Sequence, residues 1–305
     1  MNTALKSKRK LSRGQIVLLC MTLPSIILIA VFSYLPITGW AYAFFDYRIG
    51  YSLKDCLFVG LDNIKYAFSD PYVLTVIKNT LVISALGLLN LPLACGLAIL
   101  LSQVRFMKFR RWVQTIITLP NFISWVIIYS ISVSLFSMDG LITSAISSIT
   151  GSTATTTLLS NPATAQIFMV ALNIWKTTGY NSIIFFASIA GIDPELYDAA
   201  KVDGAGRWQQ IKSITIPCLL PTLMILAIIQ IGAILNSGFD QYYCFVNPMI
   251  QEKIEVLDYY VYRIGMLKND VPVSTAVSMC KSFISVILVF GVNKLAKKTT
   301  GQSVI

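Results

Sequence analysis

Long apolar segments dominate this chain and leave few ways for it to fold. A helix needs about 20 consecutive, mainly apolar residues to cross the hydrocarbon core of a bilayer. Six segments meet that requirement, at residues 15–37, 73–101, 113–136, 165–189, 217–238 and 274–295. Pro92 lies inside the second segment and predicts a kink there, and Pro120 lies inside the third segment. The pattern predicts an all-α, polytopic membrane protein with six transmembrane helices.

The composition agrees with a membrane location and excludes several kinds of catalysis. Of the 305 residues, 55% are hydrophobic and only 12% are charged, whereas a soluble domain has about 25% charged residues. The absence of histidine excludes Ser-His-Asp and Cys-His catalysis and histidine-based metal sites. None of the six cysteines forms a C-x-x-C pair; Cys56 and Cys244 are the one plausible disulfide, but small apolar core residues are the preferred interpretation. We predict no catalytic, cofactor-binding or metal-binding residues.

Lysine and arginine are distributed unevenly between alternate loops. Of 24 such residues, 15 lie in the two termini and two alternate loops, and six lie in the remaining loops. Because basic loops stay in the cytoplasm, both termini are predicted to be cytoplasmic. The net charge of +10 is therefore a signal of membrane orientation and not of nucleic-acid binding.

This topology divides the chain into consecutive regions. We predict a basic cytoplasmic tail at 1–14, a first transmembrane helix at 15–45, an extracytoplasmic loop at 46–72, a five-helix transmembrane core at 73–296 and a cytoplasmic tail at 297–305. The core includes a cytoplasmic loop at 191–217, which is neither apolar enough to span a membrane nor simple enough to be a linker.

The first half of that loop carries helix signals. Asp193 is a favourable N-cap, Pro194 suits the first helical position, and Glu195 complements the helix dipole. A short helix is predicted at about 194–202.

The second half of the loop predicts a turn at Gly204 and Gly206 and a further short helix at about 207–213. One face of the first helix carries Leu196, Ala199, Ala200 and Asp203. Small side chains on this face fit close docking against another protein. The same face also fits an interfacial connector packed beneath the bundle, and both interpretations stay open on the residues alone.

The spacing of small and polar residues in the loop adds a family resemblance. The relevant residues are Asp198, Ala199, Ala200, Gly204, Ile214 and Pro217. They resemble the EAA loop of permease subunits of bacterial ABC importers, which reads E-A-A, three residues, G, nine residues, I-x-L-P. Asp198 and Ile216 are conservative departures from the family's Glu and Leu.

Longer segments extend this resemblance to about residues 15–298. The segment ELYDAAKVDGAGRWQQIKSITIPCLLPTL resembles the sugar-importer branch of the family. The segment LNSGFDQYYCFVNPMIQEKIEVLDYYVYRIGM resembles permeases for complex oligosaccharides, including uronic-acid-containing and polysaccharide-derived ones.

The resemblance implies a type I ABC importer permease fold in a bacterial plasma membrane, and a set of partners. These are a second, different permease subunit, two ATP-binding subunits, an extracytoplasmic solute-binding protein and an oligosaccharide substrate. Since the chain has no G-x-x-x-x-G-K-[ST] phosphate loop, ATP and Mg²⁺ are expected on the partner ATPase. The resemblance places coupling to that ATPase at Glu195, Asp198, Ala199, Ala200, Asp203, Gly204, Ile214 and Pro217.

Polar and aromatic residues in or beside the predicted spans are candidates for the sugar path, because buried polar groups are costly in a bilayer. They are Asn121, Trp125, Asn173, Trp175, Lys176, Asn181, Asn236, Asp240 and Tyr242. Interhelical hydrogen bonding and an interfacial aromatic belt are alternative roles for each. Lys176 requires a partner for its charge in mid-span. Two partners are possible on the sequence alone: an acidic substrate, or Asp240 or another acid on a neighbouring chain.

An ion-gradient-driven secondary carrier is the alternative function. Such carriers commonly have internal repeats with broken helices at matching positions. This sequence shows no two-fold repeat, and its EAA spacing favours the ATP-driven importer.

Overall fold

The computed structural model describes residues 12–150 and 157–300, so most of the predicted tail at 1–14 and the end of the tail at 297–305 lie outside the described residues. The α-helices are α1 Arg13–Ile29, α2 Asp62–Ser69, α3 Pro71–Gly87, α4 Asn90–Ser102, α5 Met107–Thr118, α6 Trp125–Phe136, α7 Leu141–Thr150, α8 Ala165–Ala190, α9 Pro194–Val202, α10 Arg207–Gln210, α11 Ile216–Gly232, α12 Phe239–Phe245, α13 Gln251–Ile254, α14 Leu257–Tyr262 and α15 Val271–Thr300. Segments Ala30–Tyr34, Ile211–Thr215 and Arg263–Leu267 are π-helical, and Leu35–Phe44, Leu53–Asp55 and Leu119–Phe122 are 3₁₀-helical. Within the described ranges, β-pairing is limited to an isolated bridge between Phe45 and Phe58.

In the described part of the chain, five helical segments are long and apolar enough to cross a membrane. They are Ile16–Phe44, Pro71–Ser102, Trp125–Ile149, Arg207–Gly232 and Val271–Lys294. The remaining predicted span corresponds to α8, which has 26 residues and is therefore about 39 Å long. Its polar residues, among them Asn173 and Lys176, make it less apolar than the other spans.

Helix α8 forms the centre of the bundle. It packs against α3, α4, α5 and α11, so much of its surface faces protein instead of lipid and tolerates polar side chains. Phe185 is fully buried where α8 meets α4 and α11. Gly179 lies so close to α5 that a Cβ atom there would be 2.0 Å from the carbonyl oxygen of Ile117.

The third predicted span, at 113–136, is wrong as a continuous helix. Helix α5 ends at Thr118, a 3₁₀ turn follows, and Ile123 and Ser124 have extended backbone before α6 begins. Pro120 lacks an N–H group and cannot continue the α-helical ladder. Ser124 restarts the helix by accepting a hydrogen bond from the backbone N–H of Ile127 at 3.4 Å.

The first span stands apart from the rest of the bundle. Its residues from 16 to 37 are exposed on every side, as expected for an apolar helix surrounded by lipid or by another chain. Only its outer end, Leu35–Phe44, packs firmly on α15, where the rings of Trp40 and Phe283 are 5.4 Å apart.

The segment between α12 and α15 is tied to the second span by a buried carboxylate. Glu255 is fully buried and accepts hydrogen bonds from Arg263 Nε at 2.7 Å, from Gln251 Nε2 at 2.9 Å and from the hydroxyl of Tyr72. Burial works to lower the pKa of Arg263, but the hydrogen bond and charge of Glu255 raise it overall. Glu255 and its three donors therefore form a fully paired contact, with one ion pair, between α3 and the segment that follows α12.

The contact at Gly179 predicts a large effect of a small substitution. Gly179→Ala should destabilise the chain by about 1–3 kcal/mol, because the added methyl group overlaps the backbone of α5. Gly96→Ala is the matched control, since nothing lies within 4 Å of a Cβ atom at that helical glycine; it should be neutral or stabilising. Thermal unfolding in detergent measures both, and equal midpoints for the two variants would contradict the close approach.

Candidate translocation site

A polar cavity of about 380 Å³ lies between the helices of the bundle. Its walls come from α3, α4, α8, α11, the segment after α11, and α12. The polar lining consists of Ser84, Asn90, Asn173, Thr177, Asn181, Gln230, Asn236, Ser237 and Tyr242. None of the sixteen lining residues in the described chain is charged. The cavity is therefore suited to a ligand recognised through neutral hydrogen bonds.

Two of the cavity amides hold the walls together. Asn90 donates to the hydroxyl of Thr177 at 2.8 Å and accepts from the hydroxyl of Thr178 at 2.7 Å, which joins α4 to α8. Asn173 donates to Gln241 at 3.3 Å and joins α8 to α12. These side chains make the walls rigid.

Three other cavity amides are unengaged. Within residues 12–150 and 157–300, the side chains of Asn181, Gln230 and Asn236 make no recorded hydrogen bond to protein. Each amide offers two N–H donors and a carbonyl acceptor, which matches hydroxyl groups that both donate and accept. These three side chains are the part of the cavity that is available to a ligand.

The cavity contains four of the residues predicted from the sequence and excludes the others. Asn173, Asn181, Asn236 and Tyr242 line it, and Tyr242 is almost completely buried. The residues that do not line it are Asn121, Trp125, Trp175, Lys176 and Asp240. Trp175 and Asp240 are exposed on other surfaces of the chain.

Asn90 and Thr177 escape sequence-based prediction. Asn90 begins α4 immediately after the break that separates it from α3. The one sequence signal for Asn90 was that it is an amide inside the second apolar segment, close to Pro92. The predicted kinked helix did not indicate that this side chain would face inwards.

The expected role of Lys176 requires a correction. Its Nζ atom donates to the carbonyl oxygens of Pro120 at 3.2 Å, of Asn121 at 2.9 Å, and of Ile123. All three N–H bonds of the ammonium group have acceptors, so no acidic substrate or Asp240 is needed. Lys176 pairs the carbonyl groups released where the third span breaks, and it also lies 5.4 Å from the ring centroid of Trp125.

The outer end of the cavity is held by a second ionic contact. Lys281, in α15, forms an ion pair with Asp258, in α14. Asp258 also accepts a hydrogen bond from the backbone N–H of Ser237 at 3.2 Å, and Ser237 lines the cavity. Lys281 therefore belongs to the outer part of the sixth span.

On the cytoplasmic side, α9 has the bounds predicted from the sequence. The carboxylate of Asp193 accepts from the backbone N–H of Glu195 at 2.9 Å and caps the helix. Gly204 adopts a positive φ of 79°, and the N–H of Ala205 donates to the carbonyl oxygen of Ala200 at 2.9 Å. This is the glycine-dependent helix end expected at that position.

The predicted faces of α9 remain uncovered. Glu195, Leu196, Asp198, Ala199 and Asp203 are exposed and Ala200 is half-buried. Asp198 pairs with Lys201 at 2.8 Å on the exposed surface. The helix is attached to the bundle by the hydroxyl of Tyr197, which is 2.9 Å from the hydroxyl of Thr215. Helix α9 therefore projects from the bundle with most of its surface exposed.

The prediction of a separate second helix at 207–213 is wrong. Helix α10 passes through the π-helical turn Ile211–Thr215 directly into α11. The wide π turn precedes Pro217 and replaces the α-helical bond that a proline prevents. Ile214, half-buried, and Pro217, exposed, are thus part of one helical segment that ends at Gly232.

The described residues contain no group of cysteine, aspartate and glutamate side chains arranged to hold a metal ion. The six cysteines, all within the described ranges, are free thiols.

A membrane bundle around an uncharged polar cavity, with a helical projection on the cytoplasmic face, defines a permease. Residues 90–300 match the family of binding-protein-dependent transport system inner membrane components. The chain belongs to this family and is a multi-pass plasma-membrane subunit of a binding-protein-dependent importer.

Relatives and solved structures agree with that assignment. Protein LplB of Bacillus subtilis strain 168 is 37% identical over 278 residues, which are 90% of this chain and 87% of that protein. The polygalacturonan/rhamnogalacturonan transport system permease protein YteP of the same strain is 37% identical over 279 residues, 91% of this chain and 87% of that protein. A crystal structure of a bacterial alginate ABC transporter, in complex with an alginate pentasaccharide-bound periplasmic protein, contains a chain that matches with a TM-score of 0.85 and 33% identity, covering 96% of this chain and 98% of that one.

The bonds of Lys176 predict a structural role for this residue. Lys176→Met keeps the aliphatic volume but leaves the carbonyl groups of Asn121 and Ile123 without this donor, at about 1–3 kcal/mol for each group that finds no other partner. The carbonyl group of Pro120 keeps the backbone N–H of Ile123, at 3.2 Å. The unfolding midpoint in detergent should fall clearly. Lys201→Met, at an exposed ion pair, is the control and should change it little. A Lys176→Met variant as stable as the control would disprove this role.

Proposed function

We propose that this chain forms half of the translocation path for an oligosaccharide in an ATP-driven importer. The observation that carries the proposal is the set of unengaged amides at Asn181, Gln230 and Asn236 in the central cavity. A sugar presents many hydroxyl groups, and each can pair with an amide that donates and accepts. The rigid walls held by Asn90 and Asn173 keep these amides in place.

The proposed substrate is an oligosaccharide derived from a polysaccharide, and acidic glycans are included. A relative is described as a polygalacturonan/rhamnogalacturonan permease, and a solved transporter with a similar chain carries alginate. The cavity offers no cation for a carboxylate, because its described lining is neutral. The sugar is therefore recognised here by its hydroxyl groups, and neutral and acidic chains of similar shape fit equally.

The proposed assembly contains a second, different permease subunit, two ATP-binding subunits and an extracytoplasmic solute-binding protein. The first span supports a second membrane subunit, since residues 16–37 are exposed on all sides. The exposed acidic and aromatic residues of α12, Asp240 and Tyr243, are proposed as part of the surface that receives the binding protein.

Coupling to ATP hydrolysis is proposed at the cytoplasmic projection. Ala199 and the half-buried Ala200 allow a partner surface to approach α9 closely, while Glu195, Asp198 and Asp203 give the projection a negative charge that suits a basic cleft. ATP and Mg²⁺ bind to that partner. ATP-driven closure moves the projection and, through it, the spans, provided that ATP and the loaded binding protein both favour the outward-facing state.

The unengaged amides yield a test of the sugar path. In proteoliposomes containing the complete transporter and its binding protein, Asn181→Leu and Asn236→Leu should each raise the half-saturating concentration of the sugar-loaded binding protein or lower maximal uptake, about fivefold for one lost hydrogen bond. Tyr180→Phe is the control, because Tyr180 is adjacent to Asn181 but outside the cavity. Normal uptake by both leucine variants would refute the path.

The same vesicles separate the importer from the ion-gradient-driven carrier. Uptake should require ATP on the cytoplasmic side and should persist when ionophores collapse the proton and sodium gradients. Uptake that continues without ATP and stops with ionophores would establish the carrier instead.

The positive φ of Gly204 yields a test of coupling. Gly204→Val strains the left-handed backbone at the end of α9, so the chain should lose most of the ATPase that copurifies with it while remaining folded. Gly206→Ala is the control, because Gly206 has a φ of −68° and nothing lies within 4 Å of an added Cβ. Equal recovery of ATPase with both variants would exclude α9 as the docking element.

A further inference from the structure

Helix α5 presents a basic stripe and an apolar stripe to its surroundings. Lys108 and Arg111 are exposed along one side of the helix, and Phe109, Trp112 and Ile116 are exposed on the adjacent side. Trp112 is 71% exposed, a high value for a tryptophan. Neighbouring cationic and aromatic stripes are typical of helices that lie at the interface between headgroups and acyl chains.

The opposite side of α5 is already occupied by this chain. Arg110 lies 5.2 Å from the ring centroid of Phe186 in α8, and Val113 and Ile117 pack against the buried cluster formed by α4, α8 and α11. The two exposed stripes therefore face away from the bundle.

A groove of about 410 Å³ runs along this outer side of α5. Its lining residues are Arg111, Gln114, Thr115, Thr118, Leu119 and Phe122. The hydroxyls of Thr115 and Thr118 donate to backbone carbonyls of their own helix, at 3.0 and 2.7 Å. The polar groups left for a ligand are Arg111 and Gln114 at the cytoplasmic end, and the apolar groups lie about 16 Å further along the helix.

The basic residues near the groove suit a negatively charged partner. Arg105, Lys108, Arg110 and Arg111 fall within seven residues that contain no acid. In the described ranges, none of these four side chains belongs to an ion pair. Because the loop before α5 is cytoplasmic, the cations lie at the leaflet surface that carries anionic headgroups.

We propose that this groove binds one anionic phospholipid of the cytoplasmic leaflet. Arg111 and Gln114 hold its phosphate, Lys108 adds attraction, and an acyl chain follows the groove to Leu119 and Phe122. The bound lipid covers the outer side of α5 up to the break in the third span, at the point where Lys176 pairs the free carbonyl groups. The site is independent of the identity of the transported sugar.

The test measures lipid binding to the full chain in detergent by native mass spectrometry. Phosphatidylglycerol and phosphatidylcholine with the same acyl chains are titrated separately, and Kd of the first bound lipid is determined. Phosphatidylglycerol should bind at least about tenfold more tightly, and Arg111→Gln should weaken it about fivefold, the effect expected for one basic residue near an anionic headgroup. The double variant Lys201→Gln/Arg207→Gln removes two cytoplasmic charges elsewhere and should leave Kd unchanged.

A second variant tests the groove itself. Thr115→Trp fills the groove without changing charge and should weaken phosphatidylglycerol as Arg111→Gln does. Equal affinity for the two lipids, an unchanged Kd for Thr115→Trp, or equal weakening by the control pair would each overturn the proposal. Loss of a copurifying permease subunit from Thr115→Trp, with unchanged lipid affinity, would show that the groove is a protein interface and would overturn it too.

Discussion

Inside a bilayer there is no water to form hydrogen bonds with an interrupted backbone, so the protein must supply the partners itself. For the third span, one lysine is such a partner. Where α5 stops and α6 begins, carbonyl groups lose their helical partners. The ammonium group of Lys176, from a neighbouring helix, pairs those of Asn121 and Ile123 and is a second donor to that of Pro120, which also accepts from the backbone N–H of Ile123. A positive charge that would be costly in lipid is acceptable here, because it is buried among carbonyl dipoles. The break and the lysine therefore depend on each other.

The same reasoning explains why the central helix is the most polar one. Helix α8 packs against α3, α4, α5, α11 and α13, and most of its amides and hydroxyls meet a partner or the cavity. Its hydrogen bonds to α4 and α12 set the distance between the cavity walls. Close packing at Gly179 brings α5 near enough for Lys176, three residues earlier, to reach the broken segment. The cavity and the break are thus two products of one central helix.

Apolar length and loop charge were enough to predict the membrane bundle and its orientation. The helix at 194–202 was also predictable, because its cap, its proline and its terminal glycine act within a few residues of sequence. The continuation from 207 into the fifth span was not, because proline normally ends a helix and a π turn has no strong local signal.

The role of a side chain in the bundle depends on how its helix is rotated about its axis and on how deep the residue lies in the membrane. A mainly apolar sequence carries little information on either. Asn181 and Asn236 were found as cavity residues because polar groups in spans usually face inwards. Trp175 was misplaced for lack of a periodic pattern, and Asn90 was missed because a single amide in an apolar segment does not show which way its side chain faces. The hydrogen-bond partners of Lys176 could not be predicted, because every residue has a backbone carbonyl and the sequence does not show which ones lie near the lysine.

The uninterrupted helix from Arg207 to Gly232 has a mechanical consequence. One end carries the turn that follows α9, and the other carries Gln230 within the cavity, about 35 Å away along the axis. This helix is continuous but not stiff, because the π turn at Ile211–Thr215 and Pro221 inside α11 interrupt its regular backbone hydrogen bonds. A movement of the cytoplasmic projection would therefore reach the amide as a bend at these points, so a gate would open by flexing this helix without any span changing its length.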